Sequence, residues 1–79
     1  MAHTNKVMRS VNSEDGTHCV DLFMRPDGSF GYEEFRRDIE DNRGWFPIGH
    51  FSEKTFVTSE DAWATALATI IWLREAAAH

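Results

Sequence analysis

The side chains best suited to metal chemistry in this sequence are His18, Cys19 and His50. A zinc site needs several such ligands that converge on one point. His18 and Cys19 are adjacent, and neighbours on a strand point to opposite faces of a sheet, so these two cannot easily share an ion. We therefore predict no metal site, and we interpret His18 and His50 as surface residues and Cys19 as a half-buried thiol.

Acidic side chains are numerous but do not form a catalytic pattern. Five of them crowd one stretch: Glu33, Glu34, Asp38, Glu40 and Asp41. Nucleophilic catalysis needs a base beside the nucleophile and a third group that orients the base, and no such set is evident. No glycine-rich phosphate loop precedes the C-terminal apolar stretch. The acids are interpreted as a solvated face, and we predict a protein that is not an enzyme, with no cofactor and no small-molecule ligand.

The segment from Asp27 to Phe35 resembles the second half of a calcium-binding EF-hand loop, with its glycine and final glutamate in register. In such a loop the preceding ligand positions carry oxygen atoms, but here they hold Phe23 and Arg25. A hairpin turn followed by a strand accounts for every residue of the segment, and it is the interpretation we adopt.

The run from Phe30 to Phe35 is also similar to the aromatic strand of the RNA-recognition-motif fold, which stacks bases on exposed rings. Here Phe30 and Tyr32 are needed for the core. A small basic and aromatic cluster remains, made of Arg36, Arg37, Arg43 and Trp45. A nucleic-acid-binding module that uses this cluster is the alternative hypothesis for function.

Length and charge restrict the class of protein. Seventy-nine residues make a single domain, 1–79, near the lower end of what one core can stabilise. The net charge of −5 argues against general binding to nucleic acid or to an anionic membrane. The first ten residues lack the apolar run of a signal peptide, and the lone cysteine fits a reducing compartment. We expect a cytoplasmic protein without membrane contact, disordered over residues 1–5.

A β-hairpin is predicted around Arg25-Pro26-Asp27-Gly28, where proline fixes φ and glycine suits a left-handed position. If Arg25 pairs with Ser29, opposite residues share a face, and one face collects the apolar side chains Val20, Leu22, Met24, Phe30 and Tyr32. The other face carries Phe23, opposite Gly31, and Phe35, opposite Cys19. A slip of one residue would destroy this agreement between turn and pattern.

A further strand is expected from Trp45 to Phe51, at an edge because Pro47 cannot donate to a ladder. The prediction has two forms, and in the second one residues Val7 to Val11 form an additional first strand. The predicted fold class is α+β: an antiparallel meander of three strands, or four with Val7 to Val11, and one C-terminal helix packed on one face.

The helix contains an uncharged run of twelve residues, Ala62 to Leu73, and Thr58 is its expected N-cap. At about 100° per residue, one half of its circumference faces the sheet: Ala62, Trp63, Ala66, Leu67, Ile70, Ile71 and Leu73. The opposite half carries no charge either: Ala64, Thr65, Ala68, Thr69 and Trp72. A surface helix normally has a charged outer side, so this half is a candidate interaction surface.

The stretch from Phe30 to Leu73 also resembles a set of short uncharacterised bacterial proteins. The likeness rests on Arg36-Arg37-Asp38, Gly44-Trp45, Phe56 to Ala62 and the ending Ile71-Trp72-Leu73. Those proteins have an acidic, aromatic sheet followed by a helix that ends in a Trp-Leu pair. The resemblance implies the same α+β fold and no particular activity.

Together these features predict a small domain that self-associates or binds a protein partner. A core of this size is marginal, and oligomerisation is a common remedy, with a two-fold homodimer as the default. The expected interaction surface consists of Trp72, Ala68, Thr65 and Thr69 on the helix, and of Phe23 and Phe35 on the open face of the sheet. A monomer whose N-terminal segment covers Trp72 is the other interpretation.

Overall fold

The computed structural model describes residues 4–38, 40 and 44–77, which form a four-stranded antiparallel sheet followed by two helices. The strands are β1 (Lys6–Asn12), β2 (His18–Met24), β3 (Phe30–Arg36) and β4 (Phe46–Ile48), paired in sequence order. A 3₁₀ turn (Phe51–Glu53) leads to α1 (Ser59–Thr69) and α2 (Ile71–Ala77). The predicted α+β fold, in its four-strand version, is confirmed. Neither helix is long and apolar enough to cross a membrane.

The β2–β3 hairpin has the predicted register. Met24 lies opposite Phe30, Leu22 opposite Tyr32, and Val20 opposite Glu34. The Arg25 amide donates to the Ser29 carbonyl at 2.8 Å, and Gly28 has a φ of 87°, which an L side chain rarely adopts. This hairpin supplies the centre of the sheet.

β1 completes the other side of β2 and is exposed along most of its length. The pairing shifts between Val7, opposite Phe23, and Arg9, opposite Leu22, so Met8 is the extra residue of a β-bulge. The Arg9 guanidinium lies over the Trp63 ring, 4.5 Å from its centroid. This contact connects the edge strand to α1.

The strand predicted for Trp45 to Phe51 is shorter in the structure. β4 ends at Ile48, and Gly49 and His50 both take positive φ values, 84° and 55°. The chain then turns so that the Phe51 ring stacks on Tyr32, with ring centroids 5.1 Å apart. Packing that ring against the core gives up only the few ladder hydrogen bonds that a longer strand after Pro47 would make.

The helical region also differs from the prediction of one helix. Thr58 caps α1 as expected, because its hydroxyl accepts a 3.1 Å hydrogen bond from the Asp61 amide. At Ile70, however, the backbone is extended (φ −104°, ψ 106°), and α2 starts anew at Ile71. Three consecutive β-branched residues, Thr69-Ile70-Ile71, lower helix propensity at this point.

The break changes which side chains face the sheet. The buried core consists of Val20, Tyr32, Ala66, Ile70 and Leu73. Trp72, predicted on the outer side, packs against this core, whereas Ile71, predicted inside, is 86% exposed. A continuous helical period had assigned both residues to the wrong side, because the extended residue at Ile70 rotates the phase of α2 relative to α1.

Candidate interaction surfaces and the Trp72 groove

The outer side of the two helices presents an uncharged strip to solvent, which we call the outer helical surface: Ala64, Thr65, Ala68, Thr69 and Ile71. All are exposed except Thr65, which is half-buried. Val57 and Ile71 have the most exposed large apolar side chains of the described residues, at 88% and 86%, and they flank α1. Three predicted surface residues, Thr65, Ala68 and Thr69, therefore lie together here.

Trp72 lies apart from that surface. Its indole Nε1 donates to Glu34 Oε2 at 2.8 Å, and its ring lies 6.0 Å from the His18 ring. Glu34 projects from the same face of β3 as the core residue Tyr32. Trp72 is thus half-buried between α2 and the sheet, and it helps to hold α2 in place.

The open face of the sheet carries Phe23 and Phe35, but much of it is covered by the chain itself. Phe23 is only 5% exposed, because the Arg25 guanidinium lies 4.9 Å from its ring centroid. Arg25 also donates to the carbonyls of Ser52, at 2.6 Å, and Lys54, at 3.1 Å. The prediction that Phe23 faces solvent is therefore wrong, whereas Phe35 remains half-buried.

Beside Phe35 lies a shallow depression of about 310 Å³ that also borders Ser10, Cys19, Asp21 and Trp45. The Ser10 hydroxyl donates to Asp21 Oδ1 at 2.7 Å and lies 3.2 Å from Cys19 Sγ. Burial raises the pKa of the Cys19 thiol, and the nearby Asp21 carboxylate acts in the same direction. The thiol is consequently protonated near neutral pH and a poor nucleophile.

The basic and aromatic cluster is assembled in part. The Arg37 guanidinium lies 4.9 Å from the Trp45 ring centroid, and its Nε donates to the Gly16 carbonyl at 3.0 Å. Arg36 is exposed opposite Phe46 on the other face of the sheet. Arg43 lies outside the described residues. The described residues of the cluster therefore lie on two different faces of the sheet, and the Arg37 guanidinium lies over the Trp45 ring.

The three predicted soft ligands do not come together. His18 lies on the core face of β2 and Cys19 on the open face, while His50 lies in the turn after β4. Within the described part of the chain, no three histidine, cysteine or acidic side chains are placed to hold a metal ion.

A cavity that the sequence did not reveal lies between the β1–β2 turn and α2, with a volume of about 1000 Å³. We call it the Trp72 groove, and its lining includes Ser13, Glu14, Asp15, His18, Trp72 and Glu75. The side chains of three acids and two aromatic residues thus line one concave surface. Its two sides come from opposite ends of the chain, so no local sequence pattern indicates it.

Three hydrogen bonds hold the carboxylate of Asp15, one of the acids of this groove. Its Oδ1 accepts hydrogen bonds from the Ser13 hydroxyl (2.7 Å), the Thr17 hydroxyl (2.7 Å) and the Thr17 amide (3.0 Å). These bonds, the backbone one first, lower the pKa of Asp15 to about 2. Its side chain is therefore a fixed negative charge at all ordinary pH values.

Searches of protein families, curated proteins and solved structures find no match to this chain.

Proposed function

We propose that this chain is a non-enzymatic domain that acts by self-association, two copies packing through the outer helical surface. The observation that carries the proposal is Ile71, whose side chain is 86% exposed beside four uncharged residues of α1. A large exposed apolar side chain beside small uncharged ones suits a close helix–helix contact.

The edges of the sheet are less suited to association. β1 has a bulge at Met8 and carries Lys6 and Arg9, and both features discourage pairing with another strand. β4 has three residues, and one of them is Pro47, which cannot donate to a ladder. Edge-to-edge pairing is therefore disfavoured on both sides, which leaves the helices as the preferred contact.

The charges at the two ends of the outer helical surface favour a dimer in which the helices of the two copies run antiparallel. Glu60 and Asp61 are exposed at the start of α1, and Arg74 is exposed in α2 beyond Ile71. A two-fold axis near Ala64 and Ala68 brings Arg74 of one copy towards the acids of the other. Since α1 has only eleven residues, the contact is small, and we expect a dissociation constant of roughly 0.1 mM.

The test is the mass in solution, measured by sedimentation equilibrium from about 10 μM to about 1 mM, a range that brackets the expected affinity. We expect the wild type to pass from 9.1 kDa to twice that mass, and Ile71→Lys to stay monomeric with an unchanged circular dichroism spectrum. Met8→Lys is the matched control, since Met8 is 49% exposed on β1, and it should dimerise normally. A wild type that stays monomeric, or a dimer lost in Met8→Lys instead, contradicts the proposal.

The second candidate function is nucleic-acid binding through Arg36, Arg37, Arg43 and Trp45. The exposure of Trp45 and Phe46, 41% and 44%, next to two arginines favours it. The Arg37 guanidinium already lies over the Trp45 ring, however, where a base would stack. The acidic residues Asp38 and Glu40 are also exposed nearby in the sequence. A salt-sensitive change in tryptophan fluorescence with single-stranded oligonucleotide, lost in Trp45→Ala, supports this function; no change at low salt rejects it.

A further inference from the structure

We propose that the Trp72 groove is a binding site for a guanidinium group, such as that of an arginine side chain. Its volume, about 1000 Å³, is at the upper end of the range of small-ligand sites. The groove is independent of the outer helical surface, because Trp72 and Ile71 project to different sides of α2. Self-association and this site can therefore be tested separately.

The charge of the groove selects a cation. Glu14, Asp15 and Glu75 line it, and apart from the His18 imidazole no basic side chain of the described residues does so. Hydrogen bonds from Ser13 and Thr17 to its Oδ1 hold the Asp15 carboxylate in place at the edge of the groove. A carboxylate presented in this way is a natural acceptor for an N–H donor of a ligand.

The aromatic wall selects a planar cation over a compact one. The Trp72 indole is held by its bond to Glu34, so its ring is fixed before any ligand arrives. The His18 ring stands beside it, at 6.0 Å and tilted by 53°. A guanidinium stacks on an indole face and offers several N–H groups to carboxylates at once, whereas an ammonium offers a point charge. The geometry thus favours guanidinium over ammonium.

The proposal is tested by NMR titration of the ¹⁵N-labelled chain with N-acetyl-arginine amide. We expect a saturable shift of the Trp72 indole resonance, with a dissociation constant of roughly 1 mM, while the Trp45 and Trp63 indole resonances stay in place. The uncharged isostere N-acetyl-citrulline amide should give no saturable shift. Absence of saturation with the arginine compound up to about 10 mM, or equal binding of citrulline, overturns the proposal.

Two variants distinguish specific binding in the groove from a general attraction of the cation to an acidic protein. Glu75→Gln removes a carboxylate of the groove and should raise the dissociation constant about three- to fivefold. Glu53→Gln removes another exposed charge, in the 3₁₀ turn and outside both proposed sites, and should leave the dissociation constant unchanged. Equal weakening by both variants means that net charge alone attracts the ligand, which overturns the site.

A second ligand, butylguanidinium, carries the same cation without flanking peptide groups. Comparing its affinity with that of the blocked arginine shows whether the site suits an arginine of a polypeptide or a free small molecule. Tighter binding of the blocked arginine assigns the site to a basic segment of a polypeptide, and equal or tighter binding of butylguanidinium assigns it to a free small molecule. Either result supports the site.

Discussion

The indole Nε1 of Trp72 donates a 2.8 Å hydrogen bond to Glu34 Oε2, which joins α2 to the centre of the sheet. α2 has only seven residues and follows an extended residue at Ile70, so it cannot be stable by itself. Leu73, fully buried, and this hydrogen bond are what fix its position. The Trp72 groove depends on the same arrangement.

Replacing Trp72 by Phe should therefore lower the free energy of unfolding. The variant keeps an aromatic ring in place but leaves Glu34 without its donor, which costs about 1 kcal/mol for a half-buried pair. Glu34→Gln retains an acceptor oxygen and should cost less. Urea denaturation, read as the shift of the midpoint at constant slope, measures both effects. If Trp72→Phe matches the wild type, the bond does not stabilise the fold.

Removing the Tyr32 hydroxyl should not lower the free energy of unfolding, in contrast to the change at Trp72. Its side chain is fully buried between Phe51 and Phe56, and its hydroxyl has no hydrogen-bond partner among the described residues. Burying an unpaired hydroxyl is unfavourable, so Tyr32→Phe should be neutral or stabilising by up to about 1 kcal/mol. Tyr32→Leu, which loses the ring contacts, serves as the control and should be destabilising. A clear loss of stability in Tyr32→Phe would reveal a partner for the hydroxyl.

The sequence was sufficient for the β2–β3 hairpin because two independent signals agree there. The Pro26-Asp27-Gly28 turn and the alternation of apolar residues demand the same register, and a shift by one residue violates both. The N-cap at Thr58 was predictable for a similar reason, since a local side-chain hydrogen bond defines it.

The helical surface was harder to predict, because a helical wheel assumes an unbroken helix. Once Ile70 becomes extended, Ile71 and Trp72 exchange sides, whereas Leu73 stays in the core as predicted. The β-branched run Thr69-Ile70-Ile71 was the available signal for the break. The Trp72 groove had no signal at all, since Glu14 and Glu75 meet only through the tertiary fold.

Gly31 should not tolerate a side chain. A Cβ there would lie 2.7 Å from an Arg25 guanidinium nitrogen and 2.9 Å from Phe23 Cζ. Arg25 cannot move freely, because it donates to the carbonyls of Phe30, Ser52 and Lys54. We expect Gly31→Ala to destabilise the fold by about 1–3 kcal/mol, as overpacking does.

A double-mutant cycle with Arg25→Ala checks this explanation. If the clash with Arg25 is the cause, Gly31→Ala should cost less in the Arg25→Ala background than in the wild type. Equal costs in the two backgrounds would place the problem at Phe23 or in the strand itself. Thermal denaturation of the four proteins gives the coupling energy.

The ionisation of Asp15 should make the free energy of unfolding depend on pH in the acidic range. Its pKa falls from the ordinary 3.8 to about 2 in the folded chain, so the charged form stabilises the fold. That contribution is complete above about pH 5 and is progressively lost as the pH falls through 3.8 towards 2, where the folded state also begins to be protonated. Asp15→Asn should therefore be less stable than the wild type at pH 6, and the difference should shrink steadily as the pH falls through 3.8 towards 2. Urea midpoints at pH 6, 4, 3 and 2 measure it, with Glu14→Gln as the exposed neighbouring control. A difference as large at pH 2 as at pH 6 would mean that hydrogen-bond geometry, and not charge, stabilises the turn.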